Sequence, residues 1–200
     1  MGLCINRAKD EFIKSVMQSV ILSKEQQETL LKFPIYKTYS KGTLLFNKGD
    51  CTTLYYFVIK GGIRTYKLVD GKDVSLNFIL DNEALSPTST ILQQPSDVYA
   101  VCFEDTILVA LTGEMQESIE SQIPEFQSIC RKFSEKLLAQ KQENLDRYKA
   151  LSSEQAYRYL IKERPQLIQR VPQYHIATYL GIRPESLSRI RRRISKSKTP

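Results

Sequence analysis

Between Val171 and Ile194 the chain reads VPQYHIATYLGIRPESLSRIRRRI, and its arginines recur where they could grip the phosphates of a nucleic acid. Leu187, Ile190 and Ile194 stand three and four residues apart, which places them on one face of a helix. Glu185, Ser186, Ser188, Arg189, Arg192 and Arg193 must then look outward or flank that apolar stripe. Upstream, Ile176, Ala177 and Leu180 mark a shorter helix, and Gly181 supplies the positive-φ residue that ends it. Pro184 falls in the first turn of the second helix, where an amide proton has no intrahelical partner. Two short helices over a tight turn, with the small Ala177 at their crossing and a basic outer face, form a helix-turn-helix pattern. An ordinary solvated helix can carry a single arginine, but here turn glycine, buried positions and basic face coincide in one short stretch.

The charge balance points the same way. Residues 151–200 hold eleven Lys and Arg against three Asp and Glu, whereas the first 150 residues hold 18 against 19. All of the basic excess therefore lies with the helix-turn-helix pattern, the footprint of a phosphate binder whose affinity falls steeply with salt. The four cysteines, Cys4, Cys51, Cys102 and Cys130, form no C-x-x-C pair, and His175 is the single histidine. No zinc site of the usual spacings can be built from them. Nor is there a separate base for a Ser-His-Asp or Cys-His arrangement, so the chain reads as a non-enzyme. Scattered free cysteines suit a reducing cytoplasm, the start MGLCINRAKDEF is too charged for a signal peptide, and nothing approaches a membrane span.

The preceding elements must position this basic segment. Ile5, Phe12, Ile13, Val16 and Val20 recur at near-helical spacing, and Ser23 with Gln26 predicts a capping box before a helix from Lys24 to Phe33, stopped by Pro34. From Tyr36 the period becomes two, in short runs punctuated by Gly42, Gly49, Gly61-Gly62 and the hairpin signal Asp70-Gly71. Further strands are expected at Val98–Phe103 and Thr106–Leu111, which together predict a closed antiparallel β-roll. Helical spacing returns at Glu114–Gln122 and then, after Pro124, in a long run to about Lys149. Its stripe is Phe126, Cys130, Phe133, Leu137, Asn144 and Tyr148, widened by Ile129, Leu138 and Leu145. A helix of about 25 residues spans roughly 38 Å. The stripe could bury against the roll or pair with its own copy in a two-helix seam, and we favour the seam, through residues 124–149. Ser152 or Ser153 caps a last helix before the pair, running to Arg164 and ended by Pro165. The chain is thus α+β and divides into 1–113, 114–150 and 151–200.

β-roll, long helix and helix-turn-helix in this order resemble the Crp/Fnr superfamily of bacterial transcription regulators over nearly the whole chain. The stretch QYHIATYLGIRPESLSRIRR is similar to the form common in Bacteroidetes members. The resemblance implies a cyclic-nucleotide-binding-like jelly roll with flanking helices, a dimerisation helix and a C-terminal winged helix-turn-helix. It implies a homodimer on the two half-sites of near-palindromic double-stranded DNA, with recognition helices about 34 Å apart. Base contacts are implied for Glu185, Ser186 and Arg189, and phosphate contacts for Gln173, Tyr174, Arg192 and Arg193, with Arg191 adding backbone charge. Arg189 can offer a two-pronged fork to guanine O6 and N7, and Glu185 can accept from a cytosine amino group, each about 1–3 kcal/mol of discrimination. Pro184 stands where better-known members carry arginine, so the operator need not match theirs. His175 reads as a partly packed residue of the first helix.

The family's ligand cassette holds a Gly-Glu pair for the ribose and an arginine followed by Ser or Thr for the cyclic phosphate. The matching stretch here is NFILDNEALSPTSTILQQPSDVYAV. The implied pocket residues are Glu83, Ala84, Ser96 and Asp97, with no glycine before Glu83, no arginine before Ser96, and Asp97 placed to repel a phosphate. The pocket reads as degenerate: no cofactor is assigned, tight cAMP or cGMP binding is not expected, and any small-molecule effector is unidentified. Cys4 alone does not make an iron-sulfur cluster, and the one histidine lies in the wrong domain for a haem. Cys51 and Cys102 read as packing residues, with redox sensing the alternative. The competing reading of the whole chain is a ligand-binding or scaffolding module whose basic tail binds nucleic acid without sequence preference.

Overall fold

The structure is a computed structural model that describes the backbone of residues 2–18 and 20–196. It describes their side chains except at 2–5, 136, 140, 141 and 143–150. Two helices lead, α1 (Gly2–Met17) and α2 (Lys24–Leu30). The capping box is present: Gln26 N donates to Ser23 Oγ at 3.1 Å, and Ser23 N to the Gln26 carboxamide oxygen at 2.9 Å. α2 stops at Leu30, three residues short of the expected Phe33, because Leu31 and Lys32 close a final turn ahead of Pro34.

Strands β1 (Ile35–Tyr39), β2 (Leu44–Phe46), β3 (Leu54–Lys60), β4 (Ile63–Val69), β5 (Lys72–Ile79), β6 (Ala84–Leu85), β7 (Tyr99–Cys102) and β8 (Thr106–Thr112) form two sheets. One runs β1-β8-β3-β6 and the other β2-β7-β4-β5. β8 is the spine of the first, antiparallel to β1 from Ile35 opposite Ala110 to Tyr39 opposite Thr106, and antiparallel to β3 on its other side. Alternation along these strands divides the core. Tyr56, Val58, Leu108 and Ala110 turn into the roll with Phe46, Ile63, Ile79 and Ala100. Ile59 and Val109, with Phe57, Ile107 and Leu111 at their edges, face a helical layer instead. At the sharp corner after β3, Gly61 has φ +102°, and a Cβ there would lie 2.5 Å from the Asp105 carbonyl oxygen, so only glycine fits.

Between β6 and β7 lies α3 (Thr88–Leu92), and neither β6 nor α3 is signalled by the Pro- and Ser-rich stretch that holds them. After β8 come α4 (Gly113–Gln122), capped by the Thr112 hydroxyl, and α5 (Glu125–Ala150). The helical layer is built from Ala8, Phe12, Ile13 and Val16 of α1, Leu30 of α2, Ile119 of α4, and Phe126 and Ile129 of α5. This corrects one expectation. The first half of the α5 stripe, with Cys130 and Phe133 packed at its edge, is buried against the roll and is not free to form a seam. Leu138 is 67% exposed, and the side chains of Asn144, Leu145 and Tyr148, like those of Cys4 and Ile5, lie outside the described residues.

The last segment is helical: α6 (Ser153–Glu163), α7 (Pro165–Arg170), α8 (Gln173–Tyr179) and α9 (Pro184–Lys196). Pro165 ends α6 as expected and at once occupies the first position of α7, a helix that the sequence pattern does not reveal. No strand that could form the expected wing occurs among the described residues 151–196. By packing, residues 1–64 and 79–138 make one compact unit, and residues 65–78 group with 139–200 in a second.

Candidate functional site

The second unit builds its basic face from buried residues outward. Ser152 caps α6 through a capping box with Gln155, and Ala156, Tyr157 and Leu160 of α6 are buried. Leu167, Val171, Ile176, Ala177, Leu187, Ile190 and Ile194 complete the apolar set carried by α7, α8 and α9. α8 closes with Leu180 N donating to Ile176 O (3.0 Å), Gly181 N to Thr178 O (3.1 Å) and Ile182 N to Ala177 O (3.0 Å). Gly181 has φ +66°, the left-handed value that lets the chain reverse toward α9. The Arg183 carbonyl then accepts from the amides of Ser186 (3.0 Å) and Leu187 (3.1 Å), starting α9.

With Leu187, Ile190 and Ile194 inward, a helical advance of about 100° per residue places Glu185, Arg189, Arg192 and Lys196 diametrically outward. All four are exposed. Glu185, Ser186, Arg189 and Arg192 make no side-chain hydrogen bond or ion pair among the described residues. The remaining arginines of α9 are engaged. Arg191 Nε (3.0 Å) and Nη1 face the side-chain amide of Gln173 at the start of α8, and the amide accepts from both when it turns its oxygen toward the guanidinium. Arg193 Nη1 lies 3.2 Å from Glu154 Oε2 on α6. The other oxygen of Glu154 accepts from Arg158 Nη2 at 2.9 Å and Nε at 3.2 Å. Tyr174 is 45% exposed, with its ring 5.4 Å from that of the half-buried His175. Of the residues that the resemblance implies read bases, Glu185 and Arg189 thus share the outward face and Ser186, also exposed, lies on its flank, while two members of the phosphate set, Gln173 and Arg193, face internal partners. Glu154 escapes a reading of the sequence; only its spacing of four from Arg158 signals a pairing.

Residues 65–78, most of the β4–β5 hairpin, group with this unit. Ser75, 3% exposed, donates its amide to Thr178 Oγ1 at 3.2 Å. Phe78, 1% exposed, meets the Tyr179 ring edge-on at 5.4 Å, and its carbonyl accepts from Arg164 Nη2 at 3.1 Å.

In the roll, Glu83 and Ala84 stand together at the entry to β6, and Ser96 and Asp97 in the loop before β7. Glu83 Oε2 accepts from the Leu80 amide of its own turn at 2.9 Å, and Ala84 pairs with Phe57 of β3. Ser96 is buried: its amide donates to Asp50 O (2.9 Å), its carbonyl accepts from Gly49 N (2.7 Å), and its hydroxyl donates to Val98 O (2.8 Å). Asp97 is exposed. These groups hold turns in shape, with Asp97 as the outward charge.

Cys51 is exposed, Cys102 buried and Cys130 half-buried. Burial pushes the Cys102 thiol up; burial, then the nearby Glu120 charge, pushes Cys130 up to about 11. Among the described residues no group of three metal-ligating side chains occurs, and no helix is long and apolar enough to cross a membrane.

Residues 36–120 match the family model of the cyclic nucleotide-binding domain. No curated protein matches the chain in sequence. Among solved structures, a mutant of CooA from Carboxydothermus hydrogenoformans is 17% identical with a TM-score of 0.67, over 88% of this chain and 82% of that one. FixK2 from Bradyrhizobium japonicum is 17% identical with a TM-score of 0.67, over 82% and 85%. The c-di-GMP responsive global regulator CLP from Xanthomonas campestris is 16% identical with a TM-score of 0.65, over 88% and 93%. At such identities the likeness is one of fold. Residues 36–120 thus match the cyclic nucleotide-binding domain, within a chain that shares its fold with these bacterial proteins.

Proposed function

We propose that the chain is a homodimeric, sequence-specific DNA-binding transcriptional regulator of the Crp/Fnr type, acting in the cytoplasm and without enzymatic activity. The observation that carries this reading is the outer face of α9, where Glu185, Arg189 and Arg192 stand opposite the buried stripe, exposed and without partners among the described residues. Side chains left uncommitted on a basic helix are those able to exchange water for base edges and phosphates. Glu185, Ser186 and Arg189 read bases, and Tyr174 and Arg192 hold phosphates. Gln173 and Arg193, the other two residues the sequence assigns to phosphate, meet DNA only if they share or leave their internal partners.

The dimer forms along α5 beyond Phe133, where the stripe leaves the roll. The roll either senses a small effector other than cAMP or cGMP or has lost sensing, since the pocket stretch supplies no arginine for a cyclic phosphate. Such an effector acts by binding one arrangement of the two α9 helices better than the other. Arg189→Ala tests the reading: it relaxes preference at one base pair by about 1–3 kcal/mol. A uniform loss across all sequences supports a non-specific basic tail instead.

A further inference from the structure

The four arginines of α9 fall into two classes. Arg189 and Arg192 point away from the buried stripe, whereas Arg191 and Arg193 lie on its two opposite flanks. On one flank α8 offers Gln173 to Arg191; on the other α6 offers Glu154 to Arg193. Glu154 also takes Arg158, and its side chain is only 28% exposed. It is one of three acids among residues 151–200, and a negative charge beside a phosphate-binding face opposes DNA unless it does something else there. We infer that Gln173 and Glu154 are positioning residues that brace α9 from both sides. By holding Arg191 and Arg193 they fix the rotation of α9 about its own axis, and with it the direction in which Glu185 and Arg189 point. Arg191 and Arg193 then belong to the architecture of the unit and neutralise no phosphate. This inference rests on the proposal that α9 reads DNA.

The test uses the full chain, a random-sequence duplex and the duplex enriched from a random pool. Arg192→Ala reduces the slope of log affinity against log salt by about 0.9, the loss of one phosphate contact. Arg193→Ala leaves that slope unchanged and lowers the preference for the enriched duplex about fivefold, as expected for one exposed ion pair that sets a pose. Glu154→Ala does the same, the double variant is no worse than either single one, and Glu154→Asp, which keeps the charge and both acceptor oxygens, recovers part of the preference. A slope that falls by about 0.9 in Arg193→Ala with preference intact overturns the brace. A wild-type chain that prefers no sequence overturns the DNA reading and leaves the brace to a second measurement. In the nitrogen spectrum of the free protein, the guanidinium N–H groups of Arg191 and Arg193 exchange more slowly than those of Arg189 and Arg192, and Glu154→Ala speeds Arg193 but not Arg191, together with Arg158, the other arginine that Glu154 holds. Equal exchange in all four overturns it.

Discussion

Thr178 and Ser75 are 103 positions apart in the chain and share a hydrogen bond, the Ser75 amide donating to Thr178 Oγ1 at 3.2 Å, with the two hydroxyl oxygens also 3.2 Å apart. The same hydroxyl reaches the His175 carbonyl at 3.1 Å. The end of α8 is therefore fastened to the β4–β5 hairpin by a polar group and, one residue on, by the Phe78–Tyr179 ring contact.

Thr178→Val keeps the shape and removes the acceptor for a part-buried amide, so it destabilises the unit by about 1–2 kcal/mol. Urea unfolding followed by circular dichroism checks this, and Thr178→Ser recovers most of the loss. No change in the valine variant would mean that water replaces the hydroxyl at no cost.

Phe78→Ala removes a ring that is 1% exposed and costs about 3–5 kcal/mol, the range for emptying a large buried site. Tyr179→Leu keeps an apolar side chain but removes the hydroxyl and the edge-on ring pair with Phe78, the pair alone being worth about 0.5–1.5 kcal/mol. Thermal melts of the two variants should fall in that order.

Two glycines separate strain from collision. At Gly181 a Cβ would meet nothing within 4 Å, so Gly181→Ala costs only the left-handed backbone, about 1–2 kcal/mol. At Gly61 the added carbon would also press on the backbone around Asp105 and Thr106. Gly61→Ala is therefore the more damaging, and equal unfolding midpoints for the two variants would refute the distinction.

The cysteines differ in reach and in acidity. An alkylating reagent at pH 8, followed by mass spectrometry, labels the exposed Cys51 before the buried Cys102 and the half-buried Cys130. Cys130 ionises near 9 in an unfolded chain and near 11 in the folded one. Between those values the folded protein keeps a proton that the unfolded chain has lost. Its contribution to stability is therefore complete below pH 9 and declines as pH rises through 11. Cys130→Ser should flatten that decline.

Much of the structure is legible in the sequence because it depends on neighbours along the chain. The capping boxes at Ser23 and Ser152 are local, and so is the Asp70-Gly71 turn, whose φ values of +50° and +73° follow from its residue types. The alternation of Tyr56, Phe57, Val58 and Ile59 fixes strand β3, but which face meets the helices is decided by α1 and α5, which lie on either side of the roll in sequence. The α5 stripe has helical spacing whether it meets a roll or its own copy, so spacing alone could not reveal that Phe126 and Ile129 are buried against the roll. For α9, periodicity identifies the outward face of Arg189 and Arg192. The ties of Arg191 and Arg193 depend on partners 18 and 39 positions away, which no local pattern encodes. α3 stays hidden because its five residues are too few to show a period.

Whether α9 reads sequence is tested most directly by selecting bound duplexes from a random pool at about 150 mM salt, where purely electrostatic binding is weakened. The expected result is an enriched two-fold symmetric motif with half-sites about one helical turn apart, in which Arg189→Ala abolishes the preference at one base pair of each half-site. A bound pool with no enriched motif, and an affinity that falls equally for every duplex in Arg189→Ala, would contradict sequence reading by α9.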